Sequence, residues 1–242
     1  MLRRDSSKVS DRVRLFLFDF DQTLSVVHVF KSLAGWPRQQ DTSILSIPKP
    51  YATSEFGQVI RLDQLNREQF QEDGGFLSVA FGGAERIRQV SKVLETLKAQ
   101  ESELIICTKG FVGPVRFSLE RLGLLPYFSQ IYGHIGDTYG ATPFDKQVAE
   151  EQHPELQALL GEKWQAQWTS KDQLAASLMR QKGLNADQVV LVEDDPQEIR
   201  KARTVCRTLF VKEARGLTSS QLEQLVCFSK GEVPGRSGCW IL

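Results

Sequence analysis

The feature that most constrains the fold of this 242-residue chain is the alternation of short apolar runs with segments of helical period. Runs of this length and composition predict strands that are buried on both faces, as parallel strands are. The predicted strands are Val13–Phe18, Leu104–Cys107, Gln130–Gly133, Val189–Val192 and Thr208–Val211. The predicted helices are Ala84–Ala99, Pro114–Leu122, Lys171–Lys182, Pro196–Thr204 and Thr218–Phe228. This alternation predicts an α/β protein with a Rossmann-like, doubly wound parallel sheet.

Three segments divide the chain. Residues 13–24 and 82–228 carry the alternation and form the predicted core. Residues 25–81 interrupt it with a proline-bearing loop and a predicted helix near Ser54–Gln71, which indicates a small, mainly helical cap inserted after the first strand. Residues 229–242 are rich in Gly, Ser and Pro, and we expect a flexible tail.

Composition excludes several classes of protein. Lys plus Arg equals Asp plus Glu at 30 each, so no net charge favours nucleic acid as a partner. No apolar run approaches the roughly 20 residues of a membrane span, and the polar start lacks the apolar part of a secretory signal. The four cysteines have no CxxC spacing, which favours reduced thiols and a cytoplasmic location.

The residues that follow the predicted strands carry the chemistry, since open α/β sheets bind ligands beyond the carboxyl ends of their strands. The first strand leads into Asp19 and Asp21, the second into Thr108, Lys109 and Gly110, and the fourth into Glu193, Asp194 and Asp195. Carboxylates at a buried strand end are costly unless they are compensated. A hard divalent cation would compensate them, and Mg²⁺ prefers carboxylates, waters and phosphate oxygens.

Four motifs in this order resemble the phosphohydrolase branch of the haloacid dehalogenase-like hydrolases. "DFDQTL" matches the family's DxDx[TV] signature, Thr108 in "LIICTKG" its Thr or Ser, Lys171 in "TSKDQL" its lysine, and "VVLVEDDPQEI" its acidic motif. The resemblance spans about residues 13–211 and leaves the insertion uncovered. Gln22 is a departure, because the family often has Gly there. The implied strand order is 5-4-1-2-3, which brings the first, second and fourth strand ends together.

The resemblance implies a role for each of these residues. Asp19 would be the nucleophile that forms an aspartyl-phosphate, and Asp21 the general acid and base. Thr108 and the amides of a Lys109–Gly110 turn would bind the phosphoryl oxygens, and Lys171 would neutralise charge. Asp19, the carbonyl of Asp21 and Asp194 would bind Mg²⁺. Dehalogenases of the superfamily lack the second Asp, so Asp21 favours phosphoryl transfer.

Several residues have a second reading. The order Glu193, Asp194, Asp195 leaves open which acid faces the metal, and Asp194 is preferred by the family's GDxxxD form. Asp195 precedes Pro196 and suits a helix N-cap, with Glu198 at the capping-box position. Glu198 would otherwise pair with Lys171, so both acids are expected to support the site rather than to react. Lys109 would contact phosphate or face solvent.

The last four residues, "CWIL", match a C-a-a-X motif, which predicts geranylgeranylation of Cys239 and peripheral membrane association. Few basic residues lie nearby, and one lipid chain usually needs a second signal for firm anchoring. A chance match is therefore the alternative.

These observations predict a Mg²⁺-dependent phosphohydrolase that acts on a phosphorylated small molecule or a phosphoprotein. The modest insertion predicts a site open enough for a bulky phosphoester. A scaffold protein that keeps the fold without turnover is one alternative, and a phosphotransferase with an acceptor other than water is another.

Overall fold

The computed structural model describes residues 12–36, 43–71, 74–148 and 152–232. Its centre is a five-stranded parallel sheet of order β3-β2-β1-β4-β5, which confirms the predicted order. The strands are β1 (Leu15–Phe18), β2 (Glu103–Phe111), β3 (Gln130–His134), β4 (Val189–Glu193) and β5 (Arg207–Phe210).

Helices connect and cover these strands. They are α1 (Val29–Leu33), α2 (Glu55–Glu68), α3 (Phe76–Ala80), α4 (Gly83–Ala99), α5 (Val112–Arg121), α6 (Pro154–Gln157), α7 (Lys171–Lys182), α8 (Pro196–Ala202) and α9 (Ser219–Lys230). Two of these helices begin at a side-chain N-cap: Thr218 accepts the Gln221 amide in a capping box at the start of α9, and Ser54 accepts the Gly57 amide at the start of α2.

Side chains alternate between the two faces of the sheet. In β1, Phe16 and Phe18 lie in the larger apolar core, together with residues of α2, α4, α5 and α9. Leu15 and Leu17 lie in a second apolar core with residues of α7 and α8. Since successive residues of a strand point to opposite faces, the next odd-numbered residue, Asp19, continues toward α7.

The segment 25–81 shares the larger core rather than forming one of its own. Phe56 and Val59 of α2 belong to the same apolar cluster as Phe18 and Phe117. The boundaries predicted for this insertion and for the core, 13–24 with 82–228, stay predictions.

A buried carboxylate fastens α2 to the first turn of α5 and to two loops of the core. Glu55 Oε1 accepts the amides of Gly113 and Gly161 at 2.7 and 2.8 Å, and Oε2 accepts the amide of Gly136 at 2.7 Å. Burial raises the pKa of Glu55, and the three amides oppose that rise. A charge with three donors is well satisfied in the protein interior.

None of the helices in the described ranges has both the length and the apolar character that a membrane crossing requires.

Candidate active site

The register of the sheet sets the geometry of the site. Phe18 of β1 is level with Ile106 of β2 and with Val192 of β4. The next residues along these strands are therefore neighbours, and the Asp19 amide donates to the Val192 carbonyl at 2.9 Å. Asp19 lies two residues after Leu17, and Glu193 lies two residues after Leu191. Both leucines are on the face of the sheet that packs against α7. The two acids consequently lie side by side beneath the first turn of α7.

Lys171, the first residue of α7, compensates these two acids. Its Nζ lies 2.6 Å from Asp19 Oδ1 and 2.5 Å from Glu193 Oε2, and its side chain is only 2% exposed. A cation in the first turn of a helix opposes the helix dipole. The two buried carboxylates offset that cost.

The cluster holds more acid than its lysine neutralises. One carboxylate oxygen each of Asp19, Glu193 and Asp194 lies within 4.8 Å of the others. Burial, followed by the charge of Glu193, raises the pKa of Asp19 to about 7. Burial, followed by the charges of Asp19 and Glu193, raises the pKa of Asp194 to about 8. Burial lowers the pKa of Lys171, but Asp19 and Glu193 outweigh it and hold this pKa well above its usual value.

This donor set fits a divalent cation. Three carboxylates with a single lysine leave at least one anionic group uncompensated, and hard oxygen donors suit Mg²⁺. Asp19 and Asp194, which the sequence assigned to the metal, are both in the cluster, and Glu193 is a third member. Glu193 Oε1 also accepts the Asp195 amide at 3.1 Å, so Glu193 is held between Lys171 and the loop after β4.

Thr108, Lys109 and Gly110 lie in a bulge of β2 rather than in a turn. Cys107 pairs with Tyr132 and Phe111 pairs with His134. The three residues 108–110 of β2 therefore lie opposite a single residue of β3, Gly133. The predicted end of the strand at Cys107 was wrong, because β2 continues to Phe111. A Cβ on Gly133 would come within 2.9 Å of the Gly110 carbonyl oxygen, which explains the glycine there.

The Thr108 hydroxyl is fixed by this bulge. Its Oγ1 accepts the Gly110 amide at 2.9 Å, and the residue is buried at the cavity wall. The Gly110 amide, which the family resemblance assigns to phosphate binding, thus orients the Thr108 hydroxyl in this structure. The phosphate-binding roles of Thr108, Lys109 and Gly110 stay predictions.

Asp21 lies across the same cavity and is held by the insertion. Its Oδ1 accepts the Phe30 amide at 3.3 Å and lies 3.4 Å from His28 Nδ1. Gln22, next in the chain, has a φ of 60°. That left-handed conformation favours glycine, which explains why the resembled family often has Gly here. In this chain the Gln22 amide donates to Ser25 Oγ at 3.1 Å, which supports the strained residue.

The acids at the start of α8 bind lysines other than Lys171. Asp195 is the N-cap and accepts the Gln197 amide at 2.8 Å. Glu198 Oε1 lies 3.0 Å from Lys201 Nζ and 3.1 Å from Lys109 Nζ. The alternative pairing of Glu198 with Lys171 was therefore wrong. Burial raises the pKa of Glu198, but Lys201 and Lys109 outweigh it and lower this pKa below its usual value.

These groups surround one cavity of about 810 Å³. The lining residues from the core include Asp19, Asp21, Thr108, Lys171 and Asp194. Residues 28–36 of the insertion contribute His28, Phe30, Lys31 and Trp36. Tyr139 lines it from the loop after β3. The site is thus built by both segments of the chain.

Sequence reasoning left open which of Glu193, Asp194 and Asp195 faces the metal and preferred Asp194, although a signal for Glu193 existed. The alternation of β4 places Glu193 on the face of Val189 and Leu191, which α7 covers. His28 and Tyr139 had no comparable signal, because they lie in irregular segments. Cys239 lies outside the described residues, and its lipidation stays a prediction.

The chain is similar to several solved structures. A haloacid dehalogenase-like hydrolase from Streptococcus pneumoniae has 15% identity and a TM-score of 0.43, over 87% of this chain and 90% of that one. A predicted phosphoglycolate phosphatase from Haemophilus somnus has 17% identity and a TM-score of 0.42, over 82% and 84%. The 3-deoxy-D-manno-octulosonate 8-phosphate phosphatase of Moraxella catarrhalis, solved with magnesium and phosphate, has 13% identity and a TM-score of 0.40, over 92% and 89%.

No protein-family model matches the chain, and no curated protein does. The fold itself is established by the strand order and register described above. The chain thus resembles the haloacid dehalogenase-like hydrolases in its motif order and in its strand order.

Proposed function

We propose that this protein is a Mg²⁺-dependent phosphohydrolase of the haloacid dehalogenase-like type. The observation that carries the proposal is the cluster of buried Asp19 and Glu193, both paired with Lys171, and half-buried Asp194 at a cavity wall. A surplus of buried carboxylate is costly unless a cation and a substrate complete the site.

In the proposed reaction, Asp19 attacks the phosphorus atom of a phosphate monoester. A bond forms between the carboxylate oxygen and phosphorus, and the bond to the leaving oxygen breaks as Asp21 gives that oxygen a proton. A water molecule then attacks the aspartyl-phosphate, and Asp21 takes the proton from this water. The products are an alcohol and inorganic phosphate, and both carboxylates return to their initial states.

The surrounding groups bind and orient the phosphoryl group. Thr108 would donate its hydroxyl proton to a phosphoryl oxygen, and Lys171 would neutralise charge on Asp19 and on the phosphoryl group. Asp19, Asp194 and the main-chain carbonyl of Asp21 would hold the Mg²⁺, which supplies further neutralisation of negative charge.

Hydrolysis of an aryl phosphate tests this proposal. We expect release of phosphate in Mg²⁺, loss of release in EDTA, and a fall of at least about a thousandfold in kcat for Asp19→Asn. Asp187→Asn, an exposed acid away from the cavity, is the matched control and should keep full activity. Absence of phosphate release in every condition would favour the scaffold alternative. Faster turnover with added alcohols, with transfer to them, would favour a phosphotransferase.

Lipidation of Cys239 is a separate proposal that is supported by the C-terminal C-a-a-X match. Incubation with a geranylgeranyl transferase and a radiolabelled isoprenoid should label the full chain but not Cys239→Ser. An unlabelled wild-type chain would mark the motif as a chance match.

A further inference from the structure

Aromatic side chains form one side of the active-site cavity. Phe30, Trp36 and Tyr139 all line it, and we call them the aromatic wall. Phe30 is at the centre, with its ring centre 5.2 Å from that of Trp36 and 4.7 Å from that of Tyr139. Phe111 lies behind the wall, 5.7 Å from Phe30 and 5.4 Å from Tyr139. These separations are those of favourable aromatic contacts.

The aromatic wall is not an extension of the main core. Phe30, Ala34 and Phe111 form a small apolar cluster separate from the two larger ones. Trp36 and Tyr139 are 43% and 37% exposed, and the other large apolar side chain that is exposed in the described ranges is Trp164. Trp164 packs on Tyr132 and does not line the cavity. Exposed rings at a polar cavity are a feature of ligand sites.

Two hydrogen bonds join the aromatic wall to the reacting end of the cavity. The Phe30 amide donates to Asp21 Oδ1 at 3.3 Å, and the Tyr139 hydroxyl donates to the Lys109 carbonyl at 2.5 Å. One ring is thus attached to the proposed general acid, and another to the residue after Thr108. The position of the rings is therefore fixed on the side where Asp21 would protonate the leaving oxygen.

We infer that this site selects small phosphate monoesters whose leaving group is a planar aromatic ring. The inference rests on the proposed function, because it is Asp21 that locates the leaving group. The phosphoryl group would lie at Asp19, Thr108 and Lys171, and the ring of the leaving group would contact the aromatic wall. A cavity of about 810 Å³ has the volume of a site for a small organic ligand.

Binding of two non-hydrolysable phosphonates tests this inference without turnover. Benzylphosphonate and cyclohexylmethylphosphonate carry the same charge, and the cyclohexyl group is the bulkier and more apolar of the two. Hydrophobicity alone would therefore favour the cyclohexyl compound. We expect titration calorimetry of the full chain in Mg²⁺ to show benzylphosphonate binding about three- to tenfold more tightly, since ring contacts depend on planarity.

Variants of the aromatic wall should remove this preference. In the double variant Trp36→Ala with Tyr139→Ala, we expect the two affinities to agree within about twofold, and circular dichroism should show that it folds. Trp164→Ala is the matched control and should keep the preference. Tyr139→Phe should also keep it, because the ring remains when the hydroxyl is removed.

The outcomes separate this inference from the proposed function. Equal affinities in the wild-type protein, or a preference that survives in the double variant, would overturn the inference while leaving the phosphate site intact. No binding of either phosphonate would overturn both. A phosphotyrosyl peptide that binds at least tenfold more tightly than benzylphosphonate would overturn the assignment to small molecules and point to a phosphoprotein.

Discussion

Two carboxylate sites in this molecule differ in how the cost of burying negative charge is compensated. Glu55 in α2 is 2% exposed and receives three amide hydrogen bonds, one from the first turn of α5 and two from loops. At the strand ends, Asp19, Glu193 and Asp194 surround one buried lysine. Within the part of the chain that the structure describes, Glu55 has the hydrogen-bond donors it needs, whereas the strand-end cluster does not. Burial alone therefore does not mark a functional acid, and the balance of donors and charges is more informative.

The largest expected effect is on stability, at the Glu55 site. Glu55→Ala leaves three buried amides without an acceptor, and we expect the free energy of unfolding to fall by about 3–5 kcal/mol. Urea denaturation measures the change, and Mg²⁺ should not restore the loss. Glu68→Ala, on the exposed side of the same helix, should change stability by less than about 0.5 kcal/mol. Equal stabilities of the two variants would mean that Glu55 does not fasten the insertion.

A smaller loss, and one that depends on metal, is expected at the strand ends. Among the described residues, Lys171 is the cation that touches Asp19 and Glu193, and Lys171→Met should cost about 2–4 kcal/mol at pH 8 in EDTA. Mg²⁺ should restore part of this stability, since a cation would replace the ammonium charge. Lys182→Met, at the far end of α7, is the control for loss of a lysine. Full stability of Lys171→Met in EDTA would contradict a surplus of negative charge.

The third prediction concerns the acid that faces the metal. Mg²⁺ at about 100 times its Kd should stabilise the wild-type protein by about 2.7 kcal/mol. Asp194→Asn should lose most of this gain, while Asp195→Asn should keep it, because asparagine also serves as an N-cap. Thermal unfolding with and without Mg²⁺ compares the two. The reverse result would assign the metal to Asp195.

The last prediction is a dependence of stability on pH. Asp19 and Asp194 have pKa values of about 7 and 8, both above the ordinary 3.8. Between pH 4 and these values the folded chain binds protons that the unfolded chain has released, so stability falls as the pH rises.

This decline is measurable in the metal-free protein. Between pH 5 and 8 in EDTA, we expect Tm to fall relative to the double variant Asp19→Asn with Asp194→Asn, which lacks both titrating carboxyl groups. Saturating Mg²⁺ should reduce the difference, because metal binding favours the ionised carboxylates. A Tm that rises with pH relative to that variant would contradict the raised pKa values.

The sheet could be predicted from sequence because its central strands, β1, β2 and β4, are buried on both faces and carry apolar runs. The same reasoning placed Asp19, Thr108 and Asp194 at neighbouring strand ends. The end of β2 was missed, because "TKG" has the composition of a turn and nothing local indicates that it bulges against Gly133. Glu55 was missed for another reason: Gly113, Gly136 and Gly161 converge on it from distant parts of the chain.

The attachment of α2 also has a consequence for how ligands come and go. To swing this helix away from the strand ends, three charge-assisted hydrogen bonds would have to break together. A hinged movement of α2 at every turnover would repeat that cost, so we expect this helix to stay in place while ligands bind and leave. The side of the cavity that the insertion contributes is then already assembled before a ligand arrives.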